Sequence, residues 1–297
     1  MAFEDFESAA IDTGKARIFF RRAGSGPALL LLHGFPQTHL MWRDVAPCLA
    51  EDFTVIAADL RGYGGSSCPA STPDHAPYAK RAMAADLAAL MTKLGFQRFM
   101  VAGHDRGGRV AYRLALDHPD RVEKLAVLDI VPTADVWDRA DDRLALGYWP
   151  WSLLAQPEPL PESILAAAAD VVVDNALGGW GSSASAFSPD IRQAYVDALR
   201  DPDHAHAICE EYRAAATLDR AHDHADRDAG RRIACPVLAL WSGHGALAEW
   251  YADEGGPLAL WRNWAELVTG GPMPGGHFFP EELPAETADA LRGFFGI

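Results

Sequence analysis

Residues 99–115, FMVAGHDRGGRVAYRLA, limit the possible folds of this chain more than any other stretch. The apolar run Phe99–Ala102 reads as a buried strand, and a helical pattern runs from the glycines to Asp117, where His118-Pro119 stops it. Strand, tight turn and helix in that order frame a nucleophile elbow, in which small neighbours let one side chain project at the edge of a sheet. The projecting residue here is Asp105, a carboxylate. Such a nucleophile is suited to saturated carbon or an epoxide, giving an ester that water must then cleave. Arg106 and Arg109, three residues apart on the first helical turn, can share one face beside it, and two guanidiniums there imply a substrate carboxylate. Taken alone, an Asp before a helix is also an ordinary N-cap, so the remaining sequence has to decide.

Around this stretch strands and helices alternate. Ile18–Arg22, Ala28–Leu32, Phe53–Ala58 and Val122–Ile130 read as strands, Tyr78–Leu94 as an amphipathic helix, and residues 38–51 as helix-compatible. From Pro132 to about Arg232 the pattern becomes helical, with Trp137, Trp149, Trp151 and Trp180 and no convincing buried strand. Alternation resumes with a strand ending at Trp241, a helix spanning Trp250–Val268, a short segment ending in Gly275-Gly276-His277, and a C-terminal helix to Phe295. This predicts an α/β fold with a mostly parallel, doubly wound sheet, and a helical cap inserted after Asp129: core 1–132 and 233–297, cap 133–232.

Composition narrows the partners. At 297 residues, 49% apolar and 23% charged, the chain can bury a sizeable core. A formal charge of −15 argues against nucleic acid and anionic membranes, so an anionic substrate must be drawn in by local arginines. The acidic N-terminus does not fit a signal peptide, and no apolar run reaches bilayer length. Four scattered cysteines without C-x-x-C spacing are expected to be reduced thiols in a cytoplasmic protein.

Four motifs in order, His33-Gly-Phe35-Pro36, Asp59-x-Arg61-Gly62-x-Gly64-x-Ser66, the Asp105 elbow and Gly276-His277, make the chain resemble the α/β-hydrolase superfamily over nearly its whole length. Asp at the elbow narrows the resemblance to haloalkane dehalogenases, epoxide hydrolases and haloacetate dehalogenases. The first two usually place Trp after the nucleophile; this chain has Arg106. The run Gly-His-Asp-Arg-Gly-Gly-Arg, the segment Trp151-Ser-Leu-Leu-Ala-Gln156-Pro157 and Cys209-Glu-Glu-Tyr212 resemble the haloacetate dehalogenases, fluoroacetate dehalogenases included. No Asp follows the late strand, where epoxide hydrolases keep their acid, whereas Asp129 ends the strand after the elbow helix.

The resemblance implies Asp105 as nucleophile, His277 as base and Asp129 as its orienting acid. Phe35 and Arg106 would supply oxyanion N–H groups, and Arg106 and Arg109 would hold the substrate carboxylate. Trp151 and Tyr212 match halide donors, and Trp180 a pocket wall. No cofactor or metal is implied, and a homodimer is usual among such relatives. Pro150 stands where fluoroacetate dehalogenases commonly have a halide-binding His, which predicts a preference for chloro- or bromoacetate unless Tyr148 or Trp149 replaces that donor. An epoxide hydrolase using Tyr148, Tyr195 or Tyr212 would leave both arginines uncompensated. A non-catalytic binding protein of this fold is the third reading, against which all three triad positions are filled. The pairs His204/His206 and His222/His224, in polar stretches of the cap, are expected to be solvated surface.

Overall fold

Alternating side chains explain why this chain builds a two-faced sheet. In the strand Ala28–Leu32 every residue is buried, yet Leu30 and Leu32 join the hydrophobic cluster on one face while Leu29 and Leu31 join the cluster on the other. The computed structural model describes residues 1–296. It holds one sheet of eight strands: β1 (Glu7–Asp12), β2 (Arg17–Ala23), β3 (Ala28–Leu32), β4 (Thr54–Ala58), β5 (Phe99–His104), β6 (Val122–Leu128), β7 (Val237–Ser242) and β8 (Val268–Met273). Their spatial order is β1-β2-β4-β3-β5-β6-β7-β8. The pairings of β2 with β1 and β4 are antiparallel, and all the others are parallel. Helices cover both faces, with Lys80–Lys93 and Asp105–Asp117 packed on one and Pro284–Phe295 on the other.

The chain leaves β3 toward β4 and then crosses back to β5, so the strand order reverses at β3. A crevice opens beyond the carboxyl ends of strands at such a point. Register keeps those ends level: Leu32 pairs with Gly103, His104 with Leu128, and Leu128 with Leu240. Phe35, Asp105 and Asp129 therefore leave the sheet along one edge.

Between β6 and β7, from Thr133 to Asp228, the described chain forms helices joined by turns and loops and no strand. Leu165, Val173 and Leu177 of the helical span Leu160–Gly179, broken by a kink at Ala168, pack with Tyr195, Val196 and Leu199 of the next helix and with Ile208. Ser188 and Asp201 cap the two helices that follow, Ser188 accepting from the Ile191 N–H and Asp201 from the N–H groups of Asp203 and His204. Trp151, Trp180 and Tyr212 come from this segment. No helix among the described residues is long and apolar enough to cross a membrane.

Several elements differ from expectation. β1 was not anticipated, because it is a half-exposed edge strand without a strong apolar run. The single helix predicted over Trp250–Val268 is instead a helix Ala246–Trp250, a 3-10 turn and a helix Gly256–Arg262, and Val268 opens β8, whose Gly270-Gly271-Pro272 hides its strand character. Residues 38–51 form a 3-10 turn, His39–Trp42, and one short helix, Ala46–Leu49, rather than a single helix. Tyr78 lies in a 3-10 turn with Pro77, and the helix starts at Lys80.

Candidate active site

The turn after β5 puts Asp105 at φ 45°, the left-handed region that costs an L-residue about 1–2 kcal/mol. It is tolerated because Gly107 lets the elbow press on the neighbouring strand: a Cβ there would lie 2.4 Å from His33 O. The carboxylate receives the Phe35 N–H at Oδ1, 2.8 Å away. Burial opposes its charge, but His277, Arg106, His104 and Arg109 outweigh that and hold its pKa below the ordinary carboxylate value.

Asp129 also sits at positive φ, 52°. Its Oδ1 accepts from the Ser242 N–H at 2.8 Å and its Oδ2 lies 2.5 Å from His277 Nδ1. That contact lets Nδ1 donate to the carboxylate and leaves Nε2 on the opposite side of the ring. Nε2 is buried and has no hydrogen-bond partner. Asp105, His277 and Asp129 thus come together at the edge of the sheet. His104 lies beneath, giving Nε2–H to the His277 carbonyl at 2.8 Å; burial, then the neighbouring His277, lower its pKa to about 4.

The cavity above Asp105 has two narrow lobes. One is lined by Asp105, Tyr148, Pro150, Trp151, Trp180, Tyr212 and His277. The other shares Asp105, Tyr148, Trp151 and His277 and adds Arg109 and Asp129, with Val136, Leu144, Leu247, Trp250 and Tyr251. The Tyr148 hydroxyl is buried without a partner. The Trp149 indole, by contrast, gives its N–H to Asn175 Oδ1 at 2.7 Å, and the Tyr195 hydroxyl goes to Glu281 at 3.1 Å. Of the alternative donors named from sequence, Tyr148 lines the cavity, while Trp149 and Tyr195 are engaged elsewhere.

The two arginines, treated alike in the sequence, are not alike. Both guanidiniums lie over the Trp151 ring, Arg106 at 5.4 Å and Arg109 at 4.4 Å, and Arg106 also lies 3.9 Å from the Tyr212 centroid. Arg106 is wholly buried behind those rings, with Nε 3.1 Å from Glu211 Oε1. Glu211 in turn takes the Lys80 ammonium at 2.7 Å and the Tyr63 hydroxyl at 2.6 Å. Burial disfavours the Glu211 charge, yet Lys80 and Arg106 pull its pKa down to about 2. Arg109 has no carboxylate partner among the described residues: Nη1 bonds Val131 O at 2.9 Å and Thr133 Oγ1 at 3.3 Å, and Nε is unpartnered. Burial and the proximity of Arg106 lower its pKa. The expectation that a neutral substrate strands two cations is therefore corrected to one, since Arg106 carries its own counterion.

Glu211 escaped the sequence reading although it sits beside Tyr212, because an acidic pair in a polar helix looks like solvated surface. Of the other residues set aside, His33 accepts the Leu60 N–H at 3.0 Å, Asp59 accepts the Gly65 N–H at 2.8 Å, and Arg61 pairs with Asp86. His204 bonds Gly62 O and His206 meets Ser71, so this pair ties the helical segment to a loop, while His224 lies against Asp138 on the surface. Among the described residues no three His, Cys, Asp or Glu side chains are grouped to hold a metal.

Comparison with known proteins places the fold in a family. The family described as alpha/beta hydrolase fold matches residues 27–250. A protein of Burkholderia sp named fluoroacetate dehalogenase is 46% identical over 98% of this chain and 94% of its own length. A soluble epoxide hydrolase of Corynebacterium sp. (strain C12) is 33% identical over 94% of this chain and 93% of its own. The solved structure of ALR0039 from Nostoc sp PCC 7120, described as a candidate alpha/beta hydrolase, superposes with a TM-score of 0.95 at 49% identity, covering 99% of each chain.

Proposed function

This chain belongs to the α/β-hydrolase family, in its haloacetate dehalogenase-like branch, and we propose that it hydrolyses the carbon–halogen bond of a small 2-haloacid, giving halide and the hydroxy acid. The observation that carries the reading is Arg109: a cation 4% exposed, lining the cavity beside Asp105 without a carboxylate of its own. A substrate carboxylate supplies the missing charge, with Arg106 Nη1, buried and unpartnered, in support. In this reading residues 133–232 act as the cap over a core of 1–132 and 233–297.

With Oδ1 of Asp105 held by Phe35 N–H, Oδ2 is the oxygen free to attack the α-carbon as the halide departs with its electron pair. Oδ1 then becomes the ester carbonyl oxygen, with a donor already aimed at the charge it develops when water attacks. His277 Nε2 takes the proton of that water, and Asp129 stabilises the imidazolium through Nδ1–H. The proton then passes to the departing hydroxy-acid oxygen. Trp151 and Tyr212 are the proposed halide donors and Trp180 the pocket wall. With Pro150 giving no donor, chloro- and bromoacetate are the favoured substrates over fluoroacetate.

Halide release from chloro-, bromo- and fluoroacetate, with Asp105→Ala beside wild type, tests this. A single turnover in ¹⁸O-water is expected to label Asp105 and not the glycolate; label in glycolate alone, or no halide from any of the three, refutes the reading. A second reading, epoxide hydrolysis with the same triad, is favoured by one arrangement: Tyr148 and Tyr212 both line the cavity over Asp105. Epoxides bearing a carboxylate are the substrates to try if no halide appears.

A further inference from the structure

The turn carrying His277 is gripped by residues nearly a hundred positions earlier in the chain. The His277 N–H donates to Trp180 O at 2.9 Å, and the Phe278 N–H to Ser182 Oγ at 3.0 Å. One carboxylate spans the junction: Glu282 accepts from Gly276 N–H at 2.6 Å through Oε2, and from Ser183 N–H at 3.0 Å through Oε1. The backbones approach so closely that a Cβ on Gly276 would lie 2.2 Å from Ser182 N. Ring contacts extend the junction, with Trp180 edge-on to His277 at 5.4 Å and stacked on Phe278 at 5.9 Å. The strap Trp180–Ser183, from the helical segment, and the His277 turn, from the sheet, are thus one hydrogen-bonded unit.

The geometry points to Glu282 as a positioning residue for His277, acting in the ester-hydrolysis half of the reaction. The inference rests on the proposed dehalogenase reading. Formation of the ester needs no base, because Asp105 Oδ2 makes the C–O bond while the halide leaves with the C–X electron pair. Hydrolysis does need one. As the water oxygen bonds to Asp105 Cγ, one water proton moves to Nε2 of His277, and that proton then leaves on the hydroxy-acid oxygen. Charge-assisted bonds from one carboxylate to two backbone N–H groups fix the turn from which that imidazole projects. The same bonds fix Trp180, so the helical segment helps aim the base as well as wall the pocket. A residue that acts only through His277 slows the second step and spares the first, whereas general damage to the fold slows both.

The test is rapid-quench chloride release from chloroacetate, with intact mass of the protein read in parallel, for wild type, Glu282→Gln, Glu282→Ala and Ser182→Ala. In the Glu282 variants the first chloride per site is expected at the wild-type rate. The later rate should fall about ten- to a hundredfold, the scale of a base misplaced by about an ångström, with the Asp105 ester accumulating. If Glu282→Ala does not fold, Ser182→Ala carries the same expectation through Phe278. Equal slowing of both phases, or unchanged kinetics in every folded variant, overturns the role of Glu282. Wild type that releases no halide overturns the dehalogenase reading, and this inference with it.

Discussion

Replacing either arginine by Met should abolish most of the activity, but the two variants should differ sharply in stability. Arg109 makes no ion pair with a carboxylate among the described residues, so the apo protein bears the desolvation of a buried cation that the nearby Asp105 charge offsets only in part. Arg109→Met removes that burden and forfeits the bonds to Val131 O and Thr133 Oγ1; the net should be within about 1 kcal/mol, a change of about 2 °C in Tm. Arg106→Met instead breaks a buried pair with Glu211, a loss of about 3–5 kcal/mol, or roughly 6–10 °C. For catalysis, losing the Arg109 charge removes a charge-assisted hydrogen bond of about 1.5–3 kcal/mol. Some of the long-range attraction goes with it, about 4 kcal/mol at 4 Å for an effective dielectric near 20. These terms overlap, and kcat/KM should fall about 10²- to 10³-fold.

Halide release gives the kinetic half, and thermal unfolding with and without acetate gives the other. Acetate, an unreactive carboxylate, should raise the Tm of wild type and leave that of Arg109→Met unmoved. The reasoning fails if Arg109→Met loses as much stability as Arg106→Met. It fails equally if Arg109→Met keeps wild-type turnover of chloroacetate.

Two further outcomes follow from single groups. Tyr148→Phe removes a buried, unpartnered hydroxyl that lines the cavity with Pro150; turnover of fluoroacetate should drop about ten- to a hundredfold while that of bromoacetate changes little, and equal losses for both halides would remove Tyr148 from the halide site. His104 is held neutral with a folded pKa of about 4 against 6.5 unfolded, so the unfolded chain binds more protons below pH 6.5. The stability it confers is complete above pH 6.5 and lost as pH falls to 4, a decline of about 3 kcal/mol that His104→Gln should abolish in urea unfolding measured across that window. Parallel pH curves for the two proteins would refute this.

The parts of the fold legible in the sequence were those with a strong local signal. Buried strands such as Ala28–Leu32, the strand-turn-helix around Asp105 and the long helical stretch after Pro132 each follow from periodicity and punctuation. β1 and β8 were missed because their order comes from pairing with a neighbour rather than from their own residues, one half-exposed, the other interrupted by Gly270, Gly271 and Pro272. The site divides in the same way. Asp105, Asp129 and His277 stand at strand ends, where register brings them together. Glu211 acquires its importance only through Lys80 and Tyr63, more than a hundred residues away in the chain. The difference between Arg106 and Arg109 could not be read until that counterion had a position.

Asp105 and Asp129 both hold left-handed backbone, each at about 1–2 kcal/mol relative to a relaxed conformation. Glycine adopts that geometry freely, so laboratory evolution for heat resistance alone would drive both positions toward glycine and discard the chemistry. Any campaign to toughen this protein therefore has to score turnover in every round, and the safest places to gain stability are far from the ends of β5 and β6.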